Sequence, residues 1–330
     1  MKKIINQADH VVDEMLDGMA FAYDTIVERL PDTMILHRKT EKQNKVGLVS
    51  GGGSGHEPAH AGFVGKGMLS AAVAGQVFTS PTPDQVLEGI KIADEGAGVF
   101  LVIKNYTGDV MNFEMAQDLA DMEDIKVEHV IVDDDIAVED SSFTAGKRGV
   151  AGTVLVHKIL GAAAEEGKSL AEIKELADKL VPNIKTIGVA LSPATNPEAG
   201  TPGFEIADDE IEYGVGIHGE PGYRREKLQP SRDLAIELVE QLKKDFDWSA
   251  GDEYAVLVNG MGATPLMEQF VFMNDVKELL VDDEGLDLRF RKVGDYMTSI
   301  DMEGLSLTLL KLEDEQWLDY LNAPEETISW

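Results

Sequence analysis

Short apolar runs rich in β-branched residues alternate with longer stretches of helical periodicity along the chain. The runs have the length and composition of buried strands. They lie at residues 45–50, 98–104, 127–132, 186–191, 254–258 and 305–310. This alternation predicts an α/β protein whose sheets are mixed and largely parallel.

Two helices are marked by apolar stripes that follow an expected N-cap residue. Ser169 and Glu172 have the spacing of a capping box, and Ser231 is expected to cap the second helix. The stripes are Leu170, Ile173, Ala177 and Leu180 in the first helix and Leu234, Leu238 and Leu242 in the second. Both segments are therefore predicted to pack one face against a core.

The length of 330 residues predicts two domains, each with its own core. We place the boundary where the helix after Ser169 ends near Asn183, because a strand and a stretch rich in Pro, Gly and Thr follow. Residues 1–183 are expected to form an N-terminal α/β domain, and residues 184–330 a smaller C-terminal α/β domain. The C-terminal tail can return to the first domain.

Composition restricts the classes of partner and chemistry. With 61 acidic against 29 basic residues and a net charge of −32, binding to nucleic acid phosphates or anionic lipid is disfavoured. No apolar run approaches the roughly 20 residues that span a membrane, and no secretory segment is visible. The absence of cysteine excludes disulfides, thiol catalysis and thiolate metal sites. We expect a cytoplasmic protein whose partners are small molecules or proteins.

A glycine-rich motif, residues 51–58 (GGGSGHEP), directly follows a predicted strand. Loops at this position of α/β proteins commonly bind ligands, and glycines let the backbone approach a ligand closely. The motif is not a dinucleotide fingerprint, since His56 and Pro58 stand where a third glycine belongs. A sharp structural turn is the alternative, and the presence of His56 and Glu57 favours a functional site.

Metal and nucleotide-phosphate sites are disfavoured by the same sequence. His60 lies four residues after His56, but Pro58 disfavours a helix there and no third ligand is evident. Residues 167–169 (GKS) look like the end of a P-loop, yet the upstream glycine, Gly161, is one residue too far away. We therefore expect no metal bound by this chain.

A second candidate site begins where the apolar strand 99–103 ends. Lys104 and Asp109 then emerge at the expected edge of a sheet. Asp109 has the chemistry of a general base toward a hydroxyl, and Lys104 that of a hydrogen-bond donor to substrate oxygens. A surface ion pair is the alternative.

A third candidate is His218, which lies within residues 214–222 (GVGIHGEPG) as at the tip of a loop. Neutral imidazole is nucleophilic near pH 7 and is able to add to a ketone to form a hemiaminal. The chemistry permits this reaction, although spacing alone does not establish it. The histidines that lack such surroundings are interpreted as structural: His10, His37, His129 and His157.

Residues 51–58, 104–109 and 216–222 together resemble the K subunit of the dihydroxyacetone kinases, over essentially the whole chain. Residues 78–83 (FTSPTP) and 259–262 (NGMG) extend the resemblance into both domains. It implies that His218 forms a hemiaminal with ketones and aldehydes such as dihydroxyacetone, that Asp109 is the base for the attacking hydroxyl, and that His56 assists it. The substrate-binding set implied by the family is Gly53, Ser80, Lys104, Asp109 and His218.

The resemblance also implies the partners. The chain stops at Trp330 without a nucleotide-binding domain, as in the phosphoenolpyruvate-dependent version of the kinase. Phosphate would come from ADP that is bound on a separate L subunit and recharged to ATP by an M phosphotransferase subunit. Mg²⁺ would also belong to the L subunit, so this chain would bind no cofactor. The family assembles as a homodimer.

Two other functions stay open at this point. Some relatives in the family bind dihydroxyacetone through the same histidine and act as coactivators of a transcription factor. An isomerase or aldolase that uses Lys104 as a Schiff base is a further alternative. Arg224 and Arg225, beside the His218 loop, are a candidate basic patch for a donor protein, with an ordinary solvated arginine pair as the alternative.

Overall fold

The computed structural model describes residues 2–39, 43–139 and 144–330. The strands are β1 (Val27–Arg29), β2 (Ile35–Arg38), β3 (Gly47–Ser54), β4 (Ala71–Val77), β5 (Val99–Lys104), β6 (Val127–Val132), β7 (Ile184–Ala190), β8 (Glu210–Tyr213), β9 (Arg224–Lys227), β10 (Glu253–Gly260), β11 (Asp287–Gly294) and β12 (Gly304–Lys311). The helices are α1 (Val11–Ala22), α2 (Pro83–Ala93), α3 (Thr107–Asp121), α4 (Gly152–Glu165), α5 (Leu170–Leu180), α6 (Ser231–Asp245), α7 (Leu266–Lys277) and α8 (Glu315–Asn322). Each of the six predicted strands lies within one of these strands or overlaps it.

The strands form two mixed six-stranded sheets, which confirms the predicted α/β class. The first has the order β1-β2-β4-β3-β5-β6, and the second the order β11-β10-β12-β7-β8-β9. Strands β4, β3, β5 and β6 are parallel neighbours. In the second sheet only β10 and β11 are parallel, and the other pairs are antiparallel. The expectation of largely parallel sheets therefore holds for the first sheet and is wrong for the second.

Burial on both faces explains why the second sheet looked parallel in sequence. In β10, Tyr254, Val256 and Val258 pack on one side of the sheet. Ala255 and Leu257 pack on the other side. A strand buried on both faces is a continuous apolar run, and this pattern carries no information about the direction of its neighbours.

Helix α4 lies between the two sheets. Every residue from Gly152 to Ala164 is buried, including the polar residues Thr153, His157 and Lys158, as in a helix packed on all sides. Helices α1, α4 and α5 cover one face of the first sheet, and α2 and α3 cover the other. The second sheet packs α6 and α7 on its outer face and meets α4 on its inner face. One core is thereby shared by both halves of the chain.

The C-terminal tail returns to the first half of the chain. Glu326 forms a β-bridge with Lys66, and the backbone N–H groups of Ile328 and Ser329 donate to the carbonyl of Gly62. The strands of the two sheets fall on either side of Asn183. The boundary at that residue stays a prediction.

The predicted capping box is present, and the other predicted cap differs. Ser169 accepts a hydrogen bond from the backbone of Glu172, and the Glu172 side chain accepts one from the backbone of Ser169. The N-cap of α6 is Pro230, and Ser231 is instead the first residue of the helix, with its hydroxyl donating to Asp275. No helix in the described part of the chain is long and apolar enough to cross a membrane.

Candidate active site

The glycine-rich motif is partly strand, because β3 continues through Ser54. Gly52 has a φ of +151°, and a Cβ there would lie 2.7 Å from Lys104 Nζ and 3.2 Å from an Asp109 carboxylate oxygen. A Cβ at Gly53 would lie 2.5 Å from the backbone nitrogen of Thr79. These glycines therefore let the end of β3 lie directly against neighbouring functional groups.

Lys104 and Asp109 form a buried ion pair. Lys104, the last residue of β5, is fully buried, and Asp109 lies in the first turn of α3. Lys104 Nζ donates to Asp109 Oδ2 at 3.1 Å, and the hydroxyl of Ser80 donates to Asp109 Oδ1. The alternative of a surface ion pair is therefore wrong. Charges are buried at such positions only when they are paired, as these are.

His218 and His56 meet across the boundary between the two halves. His218 lies on the loop between β8 and β9, and His56 lies just beyond β3. Their Nε2 atoms are 3.0 Å apart, and the rings meet edge to face with centroids separated by 4.8 Å. His56 is fully buried, and its Nδ1 lies 2.8 Å from the carbonyl oxygen of Thr298. The ring orientation of His56 is thus set by a backbone acceptor.

Glu220 holds the other side of His218. Glu220 Oε1 lies 3.0 Å from His218 Nδ1, and Glu220 Oε2 accepts a 3.0 Å hydrogen bond from the backbone N–H of His218. Burial would raise the pKa of Glu220, but the hydrogen bond and charge of His218 lower it to about 2. The side chain is therefore a carboxylate at neutral pH and fixes both the loop and the ring.

These contacts decide where the protons of the two histidines lie. Thr298 O and the Glu220 carboxylate only accept, so both Nδ1 atoms carry protons. Burial, followed by the charges of His218 and Lys104, holds the pKa of His56 well below its ordinary value. His56 is then neutral with a free electron pair on Nε2. The 3.0 Å contact between the Nε2 atoms is a hydrogen bond only when one proton lies between them.

A cavity of about 460 Å³ opens beside these groups. Phe78 stacks on His56 with centroids 5.2 Å apart, and Tyr106 meets His218 edge to face at 4.6 Å. Both aromatic side chains line the cavity where it adjoins the two histidines. The lining is formed by Gly53, Phe78, Ser80, Tyr106, Thr107, Gly108, Asp109 and His218.

The predicted site residues come together, although their roles stay predictions. Gly53, Ser80, Asp109 and His218 line the cavity, while Lys104 and His56 lie behind Asp109 and His218. Glu220 was not among the predicted site residues, although its position two residues after His218 was a usable signal. Thr298 gave no local signal, because 242 residues separate it from His56.

The other histidines have different surroundings. His60 Nδ1 lies 2.9 Å from Nε2 of the buried His157, and His129 Nδ1 lies 2.7 Å from Gln117 Oε1. Across the described ranges, no group of three or more His, Cys, Asp or Glu side chains is arranged to hold a metal ion.

The candidate basic patch is neutralised. Arg224 forms ion pairs with Glu226 and Glu237, and Arg225 forms one with Glu212. These side chains do not support a basic patch for a donor protein, since each cation already has an acidic neighbour. They fit the alternative of an ordinary arginine pair.

The Dak1 domain family matches residues 17–329 of the chain. The chain belongs to this family. Within the family it is 68% identical to the dihydroxyacetone-binding subunit of a PTS-dependent dihydroxyacetone kinase from Lactococcus lactis subsp. lactis (strain IL1403), over 100% of this chain and 99% of the relative. It is 48% identical to an operon coactivator from the same strain, over 99% of this chain and 100% of the relative.

A solved structure in the family has the same fold. The native dihydroxyacetone kinase of C. freundii superposes with a TM-score of 0.89 at 36% identity. The match covers 100% of this chain and 60% of that kinase.

Proposed function

We propose that this chain is the dihydroxyacetone-binding subunit of a phosphoenolpyruvate-dependent dihydroxyacetone kinase, a phosphotransferase with an alcohol acceptor. The observation that carries the proposal is that a nucleophilic imidazole, His218, and a paired carboxylate, Asp109, line the same cavity. One group has the chemistry to hold a ketone, and the other the chemistry to accept a proton from its hydroxyl.

The covalent step uses the free electron pair of His218 Nε2. With its proton on Nδ1 and facing Glu220, neutral His218 presents Nε2 as a nucleophile. Nε2 forms a bond to the carbonyl carbon of dihydroxyacetone while the π electrons of the C=O bond move to oxygen. The product is a hemiaminal, and an alcohol such as glycerol has no carbonyl carbon to form it.

His56 is proposed to accept and donate the proton of that step. When Nε2 of His218 becomes the nucleophile, the proton that it carries at the 3.0 Å contact passes to the free electron pair of His56 Nε2. The pKa of this imidazole is lowered, first by burial, so its protonated form gives up a proton more readily than an ordinary imidazolium does. His56 then protonates the oxygen that develops negative charge and so converts it to a hydroxyl group. The imidazole ring of the adduct keeps its proton on Nδ1 and carries a positive charge, which the Glu220 carboxylate balances.

Asp109 is the proposed base for the hydroxyl that receives phosphate. Its two oxygens accept hydrogen bonds from Lys104 and Ser80, and each keeps a second lone pair for the substrate hydroxyl. Attachment to His218 restrains the substrate, so the proton transfer from the substrate hydroxyl to the Asp109 carboxylate takes place within one complex. The ion pair engages the amine of Lys104, which disfavours the Schiff-base alternative.

The phosphoryl donor is proposed to be a separate protein. An L subunit would hold ADP and Mg²⁺, and an M phosphotransferase subunit would phosphorylate that ADP to ATP. Transfer of the phosphoryl group to the substrate would regenerate ADP, with no cofactor on this chain. The identity of 68% to a PTS-dependent subunit, against 39% to a triokinase/FMN cyclase from Rattus norvegicus, supports this version. Assembly as a homodimer and a cytoplasmic location belong to the same proposal.

A coactivator function is the second candidate, because an operon coactivator is 48% identical over almost the whole chain. A sensor needs to bind the ketone but does not need a base at Asp109. The higher identity to the kinase subunit favours the enzyme.

Phosphorylation of dihydroxyacetone with purified L and M subunits tests the proposal. Asp109→Asn should keep the covalent adduct and lower the transfer rate by at least about 100-fold, because a general base contributes at least that much. The matched control is Asp118→Asn, an exposed carboxylate farther along α3, which should transfer at the wild-type rate. Equal rates for the two variants would contradict the role of Asp109. A wild-type adduct without transfer would support the coactivator.

A further inference from the structure

Arg148 is a fully buried arginine beneath the loop that carries His218. It lies on the segment between β6 and α4, in the first half of the chain. Its Nε donates to Asp135 Oδ2 at 2.8 Å, and its Nη2 donates to the carbonyl oxygen of Gly214 at 2.7 Å. The guanidinium therefore joins an acidic residue of its own segment to the first residue of the His218 loop.

The same guanidinium also lies close to Glu220. A Cβ at Gly216 would lie 2.0 Å from Glu220 Oε2 and 2.7 Å from Arg148 Nη1. The carboxylate and the guanidinium thus approach one backbone position of the loop, which only glycine leaves open. Burial raises the pKa of Glu220, and the charge of Arg148 helps to lower it, after the larger lowering effects of His218 and of the backbone hydrogen bond at Glu220.

Asp135 is well placed to anchor Arg148. Its backbone N–H donates to the Arg148 carbonyl at 3.0 Å, and its Oδ1 accepts from the backbone N–H of Ala137 at 2.9 Å. Asp135 also forms a β-bridge with Thr186, a residue of β7. The pair is therefore fixed where the first half of the chain meets the second sheet.

We propose that Arg148, held by Asp135, is a positioning residue for His218. Through its hydrogen bond to Gly214 and its charge near Glu220 it fixes the loop. His218 Nδ1 then stays on the carboxylate, and Nε2 stays toward the cavity and His56. Charge-assisted and forked hydrogen bonds give an arginine the geometry to do this, and a lysine keeps only the charge. The expected effect of Arg148 on ketone binding rests on the proposed function, whereas its expected effect on the orientation of the His218 ring does not.

The test compares Arg148→Met with Arg148→Lys and with Arg225→Met. Arg225 is the matched control, since it is an exposed arginine on the strand after the same loop and pairs with a different carboxylate, that of Glu212. Because Arg148→Met leaves the Asp135 carboxylate buried without a cation, the double variant Arg148→Met/Asp135→Asn is measured beside it. If the single variant fails to fold, the double variant still tests the role of Arg148.

Two readouts are taken on the full chain. The first is the ¹⁵N NMR signal of the His218 ring, where we expect a protonated Nδ1 in wild type and Arg225→Met, and exchange between the two tautomers in the Met variants. The second is the apparent dissociation constant of the dihydroxyacetone adduct, expected to rise about tenfold in the Met variants and less in Arg148→Lys.

Unchanged ring signals and an unchanged dissociation constant in the double variant would overturn the positioning role. If wild type forms no adduct, the proposed function fails, and the ring signals alone decide the role of Arg148.

Discussion

Glu220 decides which nitrogen of His218 faces the substrate cavity. Its carboxylate accepts from Nδ1 and from the backbone of the same residue, so ring and loop are fixed together. His56 is oriented in the same way by the carbonyl of Thr298. In each of the two imidazoles, an acceptor at Nδ1 therefore fixes the orientation of the ring. The Nε2 atoms, which lie 3.0 Å apart, stay available for chemistry.

The stabilisation that Glu220 provides should depend on pH. Its pKa is about 2 in the folded chain against an ordinary value of 4.5, so its contribution is present above pH 4.5 and is lost as the pH falls toward 2. Glu220→Gln should lower the free energy of unfolding by up to about 3 kcal/mol near neutral pH, with a smaller difference in acid. Urea unfolding of both proteins between neutral pH and acid measures this. A difference that stays constant with pH would contradict the lowered pKa.

At this scale the sequence identified reactive residues but not the groups that hold them. His56, His218, Lys104 and Asp109 stand in glycine-rich or strand-end contexts that favour function, and they meet in the folded chain. Their supports were missed for a physical reason. Thr298 acts through a backbone carbonyl, a group that every residue has, and Arg148 reaches the site only through tertiary packing.

Elements were predictable where local physics determines them. Most of the apolar runs that predicted strands are buried on both faces, as β10 shows, whereas β6 is only partly buried. Helix α5 begins at its predicted cap because Ser169 and Glu172 satisfy each other's backbone N–H groups. The direction of strand pairing was not predictable, since antiparallel β12 and β7 are as apolar as the parallel strands of the first sheet.

The capping box gives a prediction at this scale. Ser169→Ala should lower the free energy of unfolding by about 1 kcal/mol, because the backbone N–H of Glu172 loses its acceptor at the start of α5. Urea unfolding measures the change. Ser249→Ala, at an exposed position outside the helices, is the control and should have little effect. Equal stability of the two variants would show that the cap does not contribute.

The site is a property of the whole molecule, because each half supplies only part of it. The first half provides His56, Lys104 and Asp109, and the second provides His218 with Glu220. Thr298, also from the second half, orients His56. The central helix α4 and the shared core hold the two sheets in the relation that this geometry needs. Neither half alone contains the pair of histidines.

Native intact mass spectrometry in the presence of dihydroxyacetone tests the central claim most directly. Wild type should gain the mass of one dihydroxyacetone molecule, and His218→Ala should not, because the nucleophilic nitrogen is removed. His129→Ala is the control, since its ring contacts Gln117 and lies outside the cavity lining, and it should keep the adduct. An adduct that persists in His218→Ala, or none in wild type, would contradict covalent binding of the ketone by His218.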